Sequence, residues 1–447
     1  MSYVGSTLGT LISFLIVLSI VVVIHELGHF LSAKLFKIRI DTFSLGFGKR
    51  LFGWTRGGTD YRLSAIPLGG FVKLAGELSE EATGKPDEFL SHPRWQRIIV
   101  YVMGPVMNAL LAIVLFSTIY MTGVNVPSYP DQNPIVGYVE KGSPAERAGF
   151  VVGDLIVHID GKKVSTWNDV DITIGTSPNH SMIIDVQRGA RLLPLSMTTE
   201  SRTRYSVGYA GFTYVIEPVV ETISKGMPAE RAGLQKGDRI VTINNIPIRS
   251  FQEASVIIRS NPGKEIELTF DRKGRLMTKR LTTANQKGIG FIGFSPHQDT
   301  IMRSYPFFMA IRESVKQCWS MSTLILEILK KYVIREMPLS SLSGPLDIAR
   351  MSYTTALSGF STFVAFLAAI SLQLGIINLL PIPILDGGHV LLLAVESIAR
   401  RDLHMKIKER VLQVGFVLLI LLMAFVVVND VVKTLPDSVY KYVPWRN

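Results

Sequence analysis

The sharpest chemical pattern in the sequence is His25-Glu26-Leu27-Gly28-His29, the H-E-x-x-H spacing. On a helix, residues four apart share one face, so His25 and His29 would present two imidazoles to a single point. Imidazoles so placed can hold Zn²⁺, with Glu26 acting as general base on the attacking water. A pair of interfacial histidines satisfied by hydrogen bonds is the bland alternative. It explains little here, because these ionisable residues end a span otherwise free of charge, and such groups are expensive in a membrane. A catalytic zinc takes three protein ligands and keeps one position open. No third His lies nearby, so the last ligand must come from elsewhere in the chain. Asp386 is the best candidate, in Asn378-Leu-Leu-Pro-Ile-Pro-Ile-Leu-Asp-Gly-Gly-His389. It reads as a lone carboxylate closing an apolar helix, with Pro381 and Pro383 breaking the backbone just before it. An Asp-Gly turn at a helix end would account for Asp386 without a metal. His389 is a rival ligand, ranked second because it lies past the Gly-Gly break.

The elements that must position these residues are apolar spans. Leu8 to Ile24 is almost continuously apolar, without the basic start and small-residue cleavage site of a signal peptide. It predicts an uncleaved transmembrane helix within residues 1–36. Further spans are predicted over residues 98–121, 359–386 and 411–432, each near the ~20 residues needed to cross the hydrocarbon core. Residues 299–358 include a stretch, Tyr305 to Val333, that is apolar in patches but carries Arg312, Glu313, Lys316 and Glu327. That pattern suits an amphipathic helix on the membrane surface better than a fifth span. Basic residues follow the first span (Lys34, Lys37, Arg39, Lys49, Arg50) and separate the last two (Arg400, Arg401, Lys406, Lys408, Arg410). The positive-inside rule then places the loops 37–97 and 387–410 in the cytoplasm and both termini, including the tail 433–447, outside. His25 would sit about 26 Å along its helix at 1.5 Å per residue, near the cytoplasmic end. The third span runs the opposite way and brings Asp386 to a similar depth.

Composition agrees with a membrane protein. The chain has 447 residues, 47% hydrophobic and only 19% charged, against about 25% charged in average soluble domains. Mean hydropathy is +0.30. Disorder and low complexity are excluded by the same figures. Cys318 is the single cysteine, which rules out an intrachain disulfide and a cysteine-based metal site. The net charge of +11 is assigned to cytoplasmic loops and anionic lipid headgroups of the bilayer rather than to nucleic acid.

The outer segment repeats itself. Lys141-Gly-Ser-Pro-Ala-Glu-Arg-Ala-Gly149 recurs as Lys225-Gly-Met-Pro-Ala-Glu-Arg-Ala-Gly233, and Gly153-Asp154 recurs as Gly237-Asp238. Two copies of one small α+β domain follow, over residues 122–215 and 216–298. Each resembles the bacterial PDZ domain, a module that takes peptides or chain termini by adding a strand to a sheet edge. The copies could equally act as spacers or a size-excluding lid. Gly208-Tyr-Ala-Gly-Phe212 and Gly290-Phe-Ile-Gly-Phe294 are candidate carboxylate loops.

Taken together, these motifs resemble the site-2 protease family of intramembrane zinc metalloproteases over nearly the whole chain. The resemblance rests on H-E-x-x-H in span one, Gly104-Pro-Val-Met-Asn108 in span two, the tandem repeat, and Asn-x-x-Pro-x-Pro-x-Leu-Asp-Gly in span three. It implies a polytopic α-helical protein of the bacterial inner membrane, with four transmembrane helices, periplasmic PDZ domains and an active site toward the cytoplasmic side. It implies one Zn²⁺ per chain on His25, His29 and Asp386, with Glu26 as catalytic base and Asn378 helping to position substrate, near Pro381 and Pro383. It also implies that Asp60 to Leu74, around Pro67, Gly69 and Gly70, with Ser44 to Lys49, forms a membrane-dipping β-hairpin and an edge strand that holds unwound substrate. The implied substrates are single-span membrane proteins already trimmed outside, such as an anti-sigma factor in envelope-stress signalling, and remnant signal peptides. The competing classes are a catalytically silent PDZ scaffold, which would not need Glu26 beside two ligands, and a zinc-linked transporter. The latter would carry inverted repeats of spans and several midplane carboxylates.

Overall fold

The protein is described by a computed structural model over residues 3–78, 80–202, 205–286 and 288–435; most of the expected outer tail lies outside these residues. The chain forms two compact units, one of residues 1–124, 303–333 and 339–447, the other of 125–302 and 334–338.

The first unit is built on helices. These are α1 (Tyr3–Leu35), α2 (Arg94–Thr122), α3 (Phe307–Val333), α4 (Pro345–Ser358), α5 (Phe360–Asn378), α6 (Asp386–Ala399) and α7 (Met405–Val432). Among the described residues, four helices are long and apolar enough to cross a membrane: Thr7–Leu35, Arg94–Thr122, Phe360–Asn378 and Lys406–Val432. The amphipathic pattern of Tyr305 to Val333 becomes α3. Its small residues Ala310, Ser314 and Cys318 are buried one turn apart, while Phe308 and Trp319 are exposed. Small residues hold the helices close. A Cβ on Gly28 of α1 would stand 2.2 Å from the Met103 carbonyl of α2, and one on Gly375 of α5 would stand 3.0 Å from the Pro105 carbonyl. Without hydrophobic drive between helices in lipid, such close backbone approach is a main source of association.

Between α1 and α2 lie two long strands, β1 (Ile40–Arg56) and β2 (Thr59–Leu74), which form more than a hairpin. Both strands bend, so β1 is paired on two sides. Phe43 faces both Val72 and Tyr61, and Leu45 faces both Gly70 and Leu63, while residues 50–56 pair with 59–64. The result is a sheet of four runs in the order 70–74, 40–47, 59–66, 50–56. The bends fall at Gly46, Gly48 and Gly69, with φ of +89°, +86° and +114°, where a side chain would be strained. Residues 70–74 therefore form an outer edge of this sheet.

The second unit contains the sequence repeat as a repeated fold. Leu155–Ile159, Ser181–Arg188 and Arg191–Thr198 form a sheet with Lys162–Lys163, beside a helix at Trp167–Gly175. Arg239–Ile243, Glu265–Arg272 and Arg275–Thr282 form the same sheet with Ile246–Pro247, beside a helix at Phe251–Arg259. Thr166 and Ser250 cap the two helices alike, accepting from the amides of Asp169 and Glu253. Apolar alternation on the central strands fills one core with Ile156, Ile184 and Val186 and the other with Ile240, Leu268 and Phe270.

The Gly-Asp signature is structural. Asp154 is fully buried, accepts from the Val151 amide, and is bridged by Arg188 at 2.7 Å; Asp238, the Gln235 amide and Arg272 repeat the arrangement, also at 2.7 Å. Burial alone would raise the Asp154 pKa, but the hydrogen bonds from Arg188 and Val151 hold it below the ordinary value. Its stabilisation is therefore complete at neutral pH and is lost as pH falls below the ordinary aspartate range. Arg188→Ala strands a buried carboxylate and should cost about 3 kcal/mol. Thermal unfolding of the full chain would reveal this as destabilisation that shrinks at acid pH; an unchanged midpoint would contradict it.

Candidate metal centre

Two helices far apart in sequence deliver three lone-pair atoms to one place. His25 and His29 stand one turn apart on α1, and Asp386 is the first residue of α6. Nε2 of His25 lies 3.1 Å from Oδ2 of Asp386, Nε2 of His29 lies 3.6 Å from the same oxygen, and the two nitrogens are 3.3 Å apart. Ligands about 2.1 Å from a tetrahedral zinc are separated by about 3.4 Å, so the triangle fits that ion. The donor set of two imidazoles and one carboxylate is also that of catalytic zinc. Oδ2 of Asp386 is buried and receives no hydrogen bond. Such an orphaned acceptor is costly unless a cation satisfies it.

The sequence reading has Asp386 closing the helix of the third span. The helix instead ends at Asn378, and Asp386 opens the next one. The cause lies in residues 379–385. Pro381 and Pro383 offer no amide to continue the helix, and Ile384 is driven to φ +85°, a strained position for a β-branched residue. The turn is pressed against α6 so closely that only glycine fits behind it. A Cβ on Gly387 would be 2.3 Å from the carbonyls of Leu379 and Leu380, and one on Gly388 would be 2.3 Å from that of Ile382. On α7, Gly415 likewise leaves room for Pro383 at 2.3 Å. The Asp-Gly-Gly run thus carries a packing requirement beside its carboxylate.

The other expected residues fall around this triangle. Glu26 lies against the outer run of β2: its carboxylate accepts from the Val72 amide, and a Cβ on Gly70 would come within 3.6 Å of its Cγ. Gly70 itself has no room for a side chain, since that Cβ would meet the Ser44 carbonyl at 2.6 Å. Gly69 stands over the Phe47 ring and belongs to the bend. Asn378 at the end of α5 brings Nδ2 to 3.4 Å from Nε2 of His25. His389 stays out of the triangle and stacks on Tyr101, ring centroids 4.7 Å apart and nearly parallel. Among the described residues, His25, His29 and Asp386 are the His, Cys, Asp or Glu side chains grouped closely enough to hold a metal ion.

The run Gly104-Pro-Val-Met-Asn108 of α2 passes directly beside the two imidazoles. A Cβ on Gly104 would lie 2.4 Å from Nε2 of His29 and 2.9 Å from Cε1 of His25, so α2 can pass the imidazoles only because this residue is glycine. The carbonyl of Val100, one turn earlier, accepts from Nδ1 of His29 at 2.8 Å. Asn108, one turn later, reaches Nδ1 of His25 at 3.3 Å. No spacing rule links these residues to a motif on another helix, so only the packing reveals them.

Comparison with known proteins covers the same chain. The family described as Peptidase family M50 matches residues 13–422. The Escherichia coli (strain K12) protein named Regulator of sigma-E protease RseP is 33% identical over 452 residues, 95% of this chain and 99% of that one. A Neisseria meningitidis protein named as a zinc metalloprotease is 34% identical over 454 residues, covering 95% and 99%. The Regulator of sigma E protease of Haemophilus influenzae is 31% identical over 454 residues, covering 96% and 100%. Among solved structures, the PDZ domain of an SdrC-like protein from Listeria monocytogenes covers 19% of this chain and 90% of its own, at 23% identity and a TM-score of 0.17. A likeness that slight carries no argument.

Gly104→Ala should push the imidazoles off the triangle and lower zinc affinity by at least about tenfold, within the range for disturbed support of metal ligands. Chelator competition on the purified chain measures it; an affinity equal to wild type would contradict the packing described.

Proposed function

The chain belongs to peptidase family M50 and is a zinc metalloprotease of the site-2 type, and from that premise we propose that His25, His29 and Asp386 hold one Zn²⁺ while Glu26 is the catalytic base. The observation that carries this reading is the triangle of lone-pair atoms closed by a buried oxygen that receives no hydrogen bond. Zinc at such a site supplies a Lewis acid for the peptide carbonyl and eases deprotonation of water. Glu26 takes the proton from the attacking water as its oxygen bonds to the carbonyl carbon. As the C–N bond breaks, Glu26 returns that proton to the leaving nitrogen, and the two peptide products leave with one water consumed. Asn378, close to His25 Nε2, is placed to donate to a substrate carbonyl at the same point.

A membrane helix keeps its carbonyls in internal hydrogen bonds, so a substrate must unwind before attack. The outer run of β2 supplies the means. It is a sheet edge lying against Glu26, and an extended segment added there would present its carbonyls beside the base. Gly69 and Gly70 let this edge bend close to the site. Exposed Leu51, Phe52 and Trp54 on the far run suit contact with the bilayer, as do Phe308 and Trp319 of α3. The basic loops favour a site toward the cytoplasmic face of a bacterial inner membrane, with both termini and the repeated domains in the periplasm.

The substrates that fit this arrangement are single-span membrane proteins already shortened outside, of the anti-sigma type, and remnant signal peptides. The repeated domains act as tandem PDZ modules that admit trimmed chains. The second copy has a groove of about 280 Å³ lined by Phe251, Ile258, Ile289, Phe291 and Phe294, suited to an apolar peptide end. In the first copy, Arg202 lies over the Tyr209 ring at 3.8 Å and reaches Glu140 at 3.3 Å. The corresponding second-copy residues are the uncharged Phe291, Gln286 and Ser224.

Glu26→Gln should keep its zinc and lose cleavage of a single-span reporter by about 10²–10⁴-fold; a metallated variant that still cleaves would overturn the base assignment. Gly70→Pro should impair cleavage while zinc content stays at the wild-type level. Unaltered cleavage by that variant would remove the edge strand from the mechanism.

A further inference from the structure

We propose that Asn108 is a positioning residue, its side-chain amide accepting from Nδ1–H of His25 so that the Nε2 lone pair of that imidazole faces the metal. The inference rests on the zinc reading above.

The two histidines are supported differently. His29 gives Nδ1 to the Val100 carbonyl at 2.8 Å. A carbonyl can only accept, so this ring carries its hydrogen on Nδ1 and keeps Nε2 as a lone pair. His25 instead faces an amide, with Asn108 Nδ2 placed 3.3 Å from Nδ1. Oxygen and nitrogen of such an amide are alike in shape and are told apart by their hydrogen bonds. Asn108 is fully buried, and its Oδ1 has no partner.

Each orientation of the amide matches one state of His25. With Nδ2 toward the ring, Nδ1 is the acceptor and Nε2 carries the hydrogen, which denies a metal that lone pair. With the amide turned by half a rotation, Oδ1 accepts from Nδ1–H and Nε2 becomes a ligand. A hydrogen-bonded acceptor behind a ligating imidazole fixes its tautomer and raises its basicity. Asn108 has little freedom to do anything else. Its own carbonyl accepts from Ser371 Oγ at 2.9 Å, and a Cβ on Gly375 would lie 3.3 Å from its Cβ.

The test measures zinc affinity of the full chain in detergent by chelator competition, with thermal unfolding of the chelated proteins as a check on the fold. Asn108→Leu keeps the volume and removes the acceptor, and should weaken zinc binding about 10–100-fold. Asn108→Asp keeps an acceptor at the same atom and should bind zinc within about tenfold of wild type, or more tightly. Both variants within twofold of wild type would overturn the proposal. So would equal weakening by both, since an acceptor would then not matter; the Asp variant decides the question if the Leu variant unfolds. Wild-type protein that takes up no zinc would instead refute the metal reading on which this one stands.

Discussion

Three electron-rich atoms held within 4.8 Å of one another in a buried place are the constraint on which the first unit depends. Without a proton or a cation among them they repel. The fold nevertheless assembles them from α1 and α6, and it does so with glycine at the points of closest approach. Gly28 and Gly104 let α1 and α2 meet with both imidazoles between them, while Gly387 and Gly388 let the strained turn at Ile384 deliver Asp386. Strain of about 1–3 kcal/mol at one such residue persists only where its surroundings leave it no alternative. Here Gly387 and Gly388 of α6 on one side and Gly415 of α7 on the other confine the turn.

The same economy of space explains why a sheet stands beside the centre. A two-stranded ribbon would offer one partner to each strand. By bending at Gly46, Gly48 and Gly69, β1 and β2 fold into four runs and leave residues 70–74 as an edge against Glu26. The Val72 amide then orients the carboxylate, and the bend at Gly69 keeps the strand from being carried past the site. In our reading the helices position the metal ligands, and the sheet orients the base and the substrate.

Much of this was legible in the residues. The four-residue spacing of His25 and His29 specifies a shared helical face, and long apolar runs specify the spans. The recurrence of Pro-Ala-Glu-Arg-Ala-Gly followed by Gly-Asp specifies a duplicated domain, where the buried Asp154–Arg188 and Asp238–Arg272 pairs explain why the signature recurs. Asp386 stands out in the sequence as a lone carboxylate near His25 in depth. Its place at the start of a helix was missed because two prolines mark where a helix stops without saying where the next begins. The double pairing of β1 was hidden as well, since local alternation cannot reveal that one strand has neighbours on both sides. Gly104 and Asn108 lie in a run that carries the family resemblance, but nothing local shows what they do: their role comes from imidazoles more than seventy residues away in sequence.

X-ray absorption at the zinc edge, on the purified full chain and on Asp386→Ala, tests the central claim most directly. The account predicts about one zinc per chain, bound by two imidazole nitrogens and light oxygen donors at about 2.0–2.2 Å with no sulfur. The Ala variant should lose the metal or show an altered oxygen shell. Zinc-free wild type, a sulfur ligand, or a shell unchanged by Asp386→Ala would contradict it.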